Sequence, residues 1–193
     1  MSLSEEKEAL RARIRLRRKS LSEAERGQAA LGLLAAWRRQ FDHLEPRLAV
    51  SAFWPNPSEI DCRPLLDHLH GKGHPLLLPV VIARDSPLIF RRWRPGEDLV
   101  RGNGAHVPRD DAPQAEPDFL LVPLTAFDRS GYRLGQGAGY YDRTLAGLRA
   151  RRRITAVGVA FAIQEVERVP FDGYDQRLEG ILTETGFIAT GEA

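Results

Sequence analysis

Apolar residues recur at helical spacing near the start of the chain and then give way to short continuous runs. Leu10 and Ile14 form a narrow stripe in a strongly charged segment, and Ala30, Leu33, Leu34 and Trp37 form a broader one. These spacings predict two opening helices, the second over about Glu23 to Arg39. Ser2-x-x-Glu5 and Ser22-x-x-Glu25 have capping-box spacing, which marks a helix start in each case.

After Pro46 the pattern changes. Leu48–Trp54 and Ile154–Ala162 read as buried strands, Leu76–Ile82 and Leu88–Trp93 as strands, Phe119–Leu124 as a short, fully apolar one, and Gly180–Thr183 and Gly186–Ile188 as short ones. Ser58 is expected to cap a helix running to about His70, and a further helix is expected from about Tyr141 to Arg151. Residues 94–118, rich in Pro, Gly and Asp, read as a long surface connection. Apolar strands alternating with helices predict an α/β fold whose sheet is largely parallel and covered on both faces. No internal repeat or dividing linker is visible, so residues 1–193 are expected to form one domain.

Composition narrows the class. With 42% hydrophobic and 28% charged residues, the chain can bury a core without disulfides or metals. Its longest mostly apolar stretch, Ile154–Ile163, is too short to span a bilayer. The 28 Lys and Arg against 26 Asp and Glu leave a net charge of +2, which counts against a nucleic-acid partner. All the cations are arginine except Lys7, Lys19 and Lys72. Lone Cys62 excludes an internal disulfide and fits a reducing compartment. The start of the chain shows no apolar secretory region, and Glu5, Glu6 and Glu8 count against a mitochondrial presequence. A cytoplasmic protein is expected.

The chemistry is expected in the segment from Val122 to Asp142, which leaves a strand, passes a glycine-rich loop and enters a helix. In open α/β sheets ligands bind at that end of the strands. Gly135, Gly137 and Gly139 alternate, so the backbone can approach a ligand and aim successive N–H groups at it. Arg133 adds a planar donor fork suited to phosphate. The spacing is neither the Rossmann nor the Walker A pattern. A turn without a ligand would explain the glycines alone; Arg133, Tyr140, Tyr141 and Asp142 around them favour a site.

Arg133-Leu-Gly-Gln-Gly-Ala-Gly-Tyr-Tyr-Asp142 resembles the signature of the 5-formyltetrahydrofolate cyclo-ligase (methenyltetrahydrofolate synthetase) family. Lys7-Glu-Ala-Leu-Arg11 resembles that family's N-terminal motif, and Phe53-Trp-Pro-Asn-Pro-Ser-Glu-Ile60 its substrate-binding segment. Val169-Pro170, Asp175 and Ile181-Leu-Thr-Glu184 resemble its closing segment. The resemblance implies a three-layer α/β/α sandwich like that of certain sugar-phosphate isomerases and CoA transferases. It also implies ATP- and Mg²⁺-dependent conversion of 5-formyltetrahydrofolate to 5,10-methenyltetrahydrofolate, and a monomer is expected.

By the same resemblance, Lys7, Arg11, Arg133, Leu134, Gly135, Gln136, Gly137, Ala138, Gly139, Tyr140 and Tyr141 bind ATP. Trp54 and Glu59 bind the folate, joined by Gln136, Gly137, Ala138, Gly139 and Tyr140. Arg133 and Tyr140 carry the catalytic assignment, and Asp142 and Asp175 the metal, with Asp172 as a nearby rival for Asp175. Without the resemblance, Lys7 and Arg11 fit a solvated basic face that continues through Arg13, Arg15, Arg17, Arg18 and Lys19, and Glu59 fits a first-turn residue beside a capping Ser58. Ala138 stands where some members carry Lys, so the phosphates must find their cations elsewhere. The family's acidic-Pro pair is not evident near Ala105-His-Val-Pro108. The alternatives are a nucleic-acid-binding protein using the Arg11–Lys19 and Arg149–Arg153 clusters, or an enzyme of the same fold acting on another phosphorylated small molecule.

Overall fold

The computed structural model describes residues 2–45 and 47–190, so Pro46 lies outside the described residues. Both capping boxes form. Helix α1 (Leu3–Lys19) starts with the Glu5 amide donating to Ser2 Oγ and the Ser2 amide donating 2.7 Å to the Glu5 carboxylate. Helix α2 (Glu23–Phe41) repeats the arrangement with Ser22 and Glu25. Each box satisfies end-of-helix donors that would otherwise lack partners.

Strand β1 (Val50–Ser51) is followed by α3 (Arg63–Gly71), β2 (Leu76–Val80) and β3 (Ile89–Trp93). A hairpin of β4 (Leu99–Arg101) and β5 (His106–Pro108) comes next, then β6 (Phe119–Pro123). A second small hairpin, β7 (Ala126–Phe127) and β8 (Arg133–Leu134), leads into α4 (Tyr140–Arg149). Strand β9 (Thr155–Val159), a short 3-10 turn at Ala162–Gln164, β10 (Gly180–Thr183) and β11 (Gly186–Ala189) complete the order.

The main sheet runs β11-β10-β9-β6-β1-β2-β3. Its five inner strands are parallel, and β3 and β11 pair antiparallel at the two edges. Successive residues of a strand face opposite sides, so Leu76 and Leu121 pack with Leu33, Trp37, Leu65 and Leu69 of α2 and α3. Leu77 and Leu120 pack with Leu145 and Leu148 of α4 on the other side. This is the layered α/β arrangement expected from the sequence, with antiparallel edges added. Helix α1 belongs to neither layer. Its Leu10 and Ile14 pack on Ala126, Leu134 and Val169, which places α1 beside the glycine-rich loop.

Three local expectations are corrected. Ser58 caps no helix: α3 begins at Arg63 after Cys62, with a proline in its first turn. Prolines at 55 and 57 favour an extended entry and a tight turn, and Pro64 suits an early helical position, so the start moves downstream. The connection at 94–118 is less irregular than expected, because Leu99 pairs with Pro108 and Arg101 with His106. The strand expected over 48–54 reduces to Val50–Ser51, although Ala52 still donates 3.0 Å to the Leu77 carbonyl.

Candidate active site

A cleft of about 1100 Å³ opens where β1, β2 and β6 end, lined there by Trp54, Val80 and Leu124. These are the C-terminal ends of parallel strands, where strand order and connecting loops leave room for a ligand. One wall is the glycine-rich loop from Arg133 to Gly139 and the start of α4. Gly139 caps α4 in the left-handed region (φ 67°) and supplies no side chain to the helix end. The first-turn N–H groups of an α-helix have no helical acceptors, and here they face a cleft, an arrangement suited to an anion.

Helix α1 braces that loop from outside. Arg11 Nε donates 2.9 Å to the Gly135 carbonyl, and Arg15 donates 3.3 Å to the Gln136 side chain. Gly137 has φ 107°, and a Cβ there would lie 3.4 Å from the Arg11 guanidinium. Arg143 closes the far side, donating 2.6 Å to the Ala138 carbonyl with its guanidinium over the Tyr140 ring.

Arg133 lines the cleft but is almost wholly buried, and its fork is engaged by neighbouring groups of the protein. One arm donates 2.8 Å to Asp142 Oδ1 and the other to the Gln176 carbonyl. The Gln176 amide donates 3.0 Å to the same Asp142 oxygen. The guanidinium is thereby paired with Asp142, as a buried cation needs a partner anion more than an exposed one does.

Lys7 lies between two carboxylates, 2.7 Å from Asp175 and 3.3 Å from Asp172. Burial works against the ammonium, but Asp175 and Asp172 outweigh it and hold the Lys7 pKa above the usual lysine value. The Tyr174 amide, followed by Lys7, holds Asp172 below the usual carboxylate range. Asp175 also accepts from the Asp172 amide at 2.8 Å, so the Asp172–Asp175 turn is tied to itself and to α1.

The turn at 56–59 also lines the cleft. The Asn56 amide donates 2.9 Å to Glu59 Oε2, and the Glu59 amide donates 2.8 Å back to the Asn56 carbonyl. Burial raises the Glu59 pKa, while the Asn56 amide and the charge of Arg18 pull it back down. Trp54 sits edge-on to Trp93, 5.5 Å between ring centres, with the Arg63 guanidinium over its ring. The Tyr141 hydroxyl is buried without a hydrogen-bond partner among the described residues, and burial pushes its pKa well up.

Residues 3–184 match the 5-formyltetrahydrofolate cyclo-ligase family. The chain belongs to that family. It is similar to the 5-formyltetrahydrofolate cyclo-ligase of Escherichia coli (strain K12), 33% identical over 177 residues that cover 88% of this chain and 96% of that one. Among solved structures, the Aquifex aeolicus 5,10-methenyltetrahydrofolate synthetase aligns with a TM-score of 0.80 at 30% identity, covering 97% of this chain and 94% of its own. The Mycoplasma pneumoniae 5,10-methenyltetrahydrofolate synthetase aligns with a TM-score of 0.74 at 25% identity, covering 92% and 98%.

In this cyclo-ligase family member, the residues marked from sequence line a single cleft: Lys7, Arg11, Trp54, Glu59, Arg133 to Asp142, Asp172 and Asp175. Sequence reasoning missed three contributors. The β4–β5 hairpin brings Asn103 and His106 to the cleft lining, and its short strands carry too weak an alternation to be read. Gln176 fixes Asp142 through backbone groups, which leave no mark on residue identity. Arg18 was grouped with a solvated basic face, yet it is 3% exposed. Its spacing from Lys7, Arg11 and Ile14 was the available signal, since positions 7, 11, 14 and 18 share one helix face.

The remaining basic clusters are largely paired. Arg149 bonds Glu179, Arg151 bonds Glu116, and Arg152 bonds Asp118. His74 is buried with its ring nitrogen 3.2 Å from the Leu48 carbonyl, a structural placement. Among the described residues, no helix is long and apolar enough to cross a membrane.

Proposed function

We propose that this chain converts 5-formyltetrahydrofolate to 5,10-methenyltetrahydrofolate, consuming ATP and releasing ADP and phosphate with Mg²⁺ bound. The observation that supports it is one cleft holding an uncapped helix start, the Asp142 and Asp175 carboxylates, and the Trp54–Glu59 wall. All these groups come from elements between α1 and β10, so the proposed site lies within a single domain.

The chemistry asks mostly for positioning. A formamide oxygen is a poor leaving group, so it first attacks the γ-phosphorus and the bond to the ADP oxygen breaks. The resulting imidoyl phosphate carries a carbon that the N10 nitrogen attacks. The carbon–oxygen bond then breaks, phosphate departs and N10 loses its proton. Holding these atoms in line accounts for much of the rate in such transfers.

The Gly135–Gly139 backbone and the start of α4 bind the triphosphate, with Arg11 fixing the loop. Glu59 accepts hydrogen bonds from the pterin ring, and Trp54 and Tyr140 give it apolar contact. Asp142 and Asp175 would hold Mg²⁺, which commonly takes one or two carboxylates and completes its shell with water and phosphate oxygens. Among the described residues, no group of three or more His, Cys, Asp or Glu is placed to hold a metal ion. When bound there, Mg²⁺ supplies positive charge against the phosphate oxygens.

Substrate carrying ¹⁸O in its formyl group tests the sequence of bonds. The proposed reaction delivers the label to inorganic phosphate; label appearing in water instead would contradict it.

A further inference from the structure

Helix α1 presents a third cation to the body of the protein beyond Lys7 and Arg11. Arg18 is 3% exposed, and Nη2 donates 3.1 Å to Ser58 Oγ. Its Nε and Nη1 are buried without hydrogen-bond partners among the described residues. A guanidinium buried on one weak neutral acceptor is costly, and such groups persist where a nearby anion or a task offsets the cost. The anion is Glu59, next in the chain to Ser58 and close enough for the two charges to act on each other. Burial lowers the Arg18 pKa and raises that of Glu59, and each charge counters the shift of the other.

Arg18 does not reach the cleft lining, whereas Glu59 does. On the opposite side of the turn, the Asn56 amide holds Glu59 Oε2. The turn is therefore held from α1 behind and from its own backbone in front. Tyr141 of α4 and Cys62 after the turn also lie within electrostatic range of Glu59, but both stay neutral. Arg15 and Arg26 are near Arg18 and oppose its charge. Arg18 thus supplies the positive field on Glu59 from within the fold.

We propose that Arg18 is a positioning residue for the folate wall, anchoring the Ser58–Glu59 turn and presenting the Glu59 carboxylate to the pterin. This rests on the folate reading of Glu59. Arg18 touches no substrate and acts through the Ser58–Glu59 turn.

Two readouts test it. In the protein without substrates, the Glu59 carboxyl is titrated by ¹³C NMR, with Glu59→Gln identifying its resonance. Arg18→Met is expected to raise the Glu59 midpoint by about one pH unit or more, and Arg18→Lys by much less. An unchanged midpoint in Arg18→Met overturns the proposal. In initial-rate assays near neutral pH, Arg18→Met is expected to raise KM for the folate about tenfold while KM for ATP stays within about twofold. Combining Arg18→Met with Glu59→Gln should add little to either alone; full additivity, or equal rises in both KM values, overturns the proposal. Arg18→Gln is shorter but keeps an uncharged amide donor in place of the guanidinium, and is held to the same criteria if Arg18→Met does not fold. A wild-type protein without turnover would refute the folate reading, while the titration would still decide the link between Arg18 and Glu59.

Discussion

The buried Arg133 guanidinium donates 2.8 Å to Asp142 Oδ1, and its second arm rests on the Gln176 carbonyl. The helix that starts at the glycine-rich loop is thereby tied to the segment that carries Asp175. Asp142 has one oxygen committed to Arg133 and the Gln176 amide, which fixes the direction of the other.

Arg133→Met should therefore lose both stability and rate. Breaking a largely buried pair costs about 2–4 kcal/mol, and a misplaced Asp142 should lower turnover about 100-fold. Arg133→Lys has no fork to bridge both partners and should recover little. Asp142→Asn keeps the shape and an acceptor, so it should reduce turnover by a similar factor with a smaller fall in Tm. Thermal melts and steady-state rates separate the two; normal turnover in Asp142→Asn would remove that carboxylate from the metal site.

Glycine is required at one loop position and replaceable at another. Gly137→Ala forces a side chain into a left-handed backbone against Arg11, whereas a Cβ at Gly135 meets nothing within 4 Å. The left-handed conformation costs an L-residue about 1–2 kcal/mol. We expect Gly137→Ala to raise KM for ATP about tenfold or more and Gly135→Ala to change it by less than about threefold. Equal effects would mean that loop conformation does not govern nucleotide binding.

The motif, both capping boxes and the parallel core were legible because each rests on local spacing. Gly135, Gly137 and Gly139 show where backbone must turn, and alternate-free apolar runs show strands buried on both faces. The position of Glu59 was not legible in detail, because Pro55, Pro57 and Pro64 together decide where α3 starts and Ser58 alone does not. Arg18 hid in a run of cations whose exposed members share its chemistry but not its helix face. The orientation of Arg133 depended on Gln176, a residue more than 40 positions away in the chain that meets Arg133 and Asp142 through backbone groups.

Lys7 gives the structure a pH signature. Its pKa is raised, so its contribution is complete below the usual lysine value and is lost as pH climbs past it. The Asp172 pKa is lowered, so its contribution is present above the usual value of 3.8 and is lost as pH falls below it. Without ligands, the Tm gap between wild type and Lys7→Met should be widest between about pH 5 and 9 and should close on either side. A gap independent of pH would show that Lys7 acts through packing of its stem.

Glu59→Gln keeps the turn's geometry but removes the charge and one acceptor oxygen. Its effect should fall on folate: KM for the folate up about tenfold or more, with KM for ATP nearly unchanged. A larger effect on ATP would move Glu59 to the nucleotide side of the cleft.

The most direct measurement is a spectrophotometric assay of 5-formyltetrahydrofolate with purified protein, with ATP and Mg²⁺ added singly and together. The methenyl product has a near-ultraviolet band that the substrate lacks. We expect that band to grow only when both are present, with phosphate released in equal amount. No band from folded protein, or a band that forms without ATP, would contradict the proposed reaction.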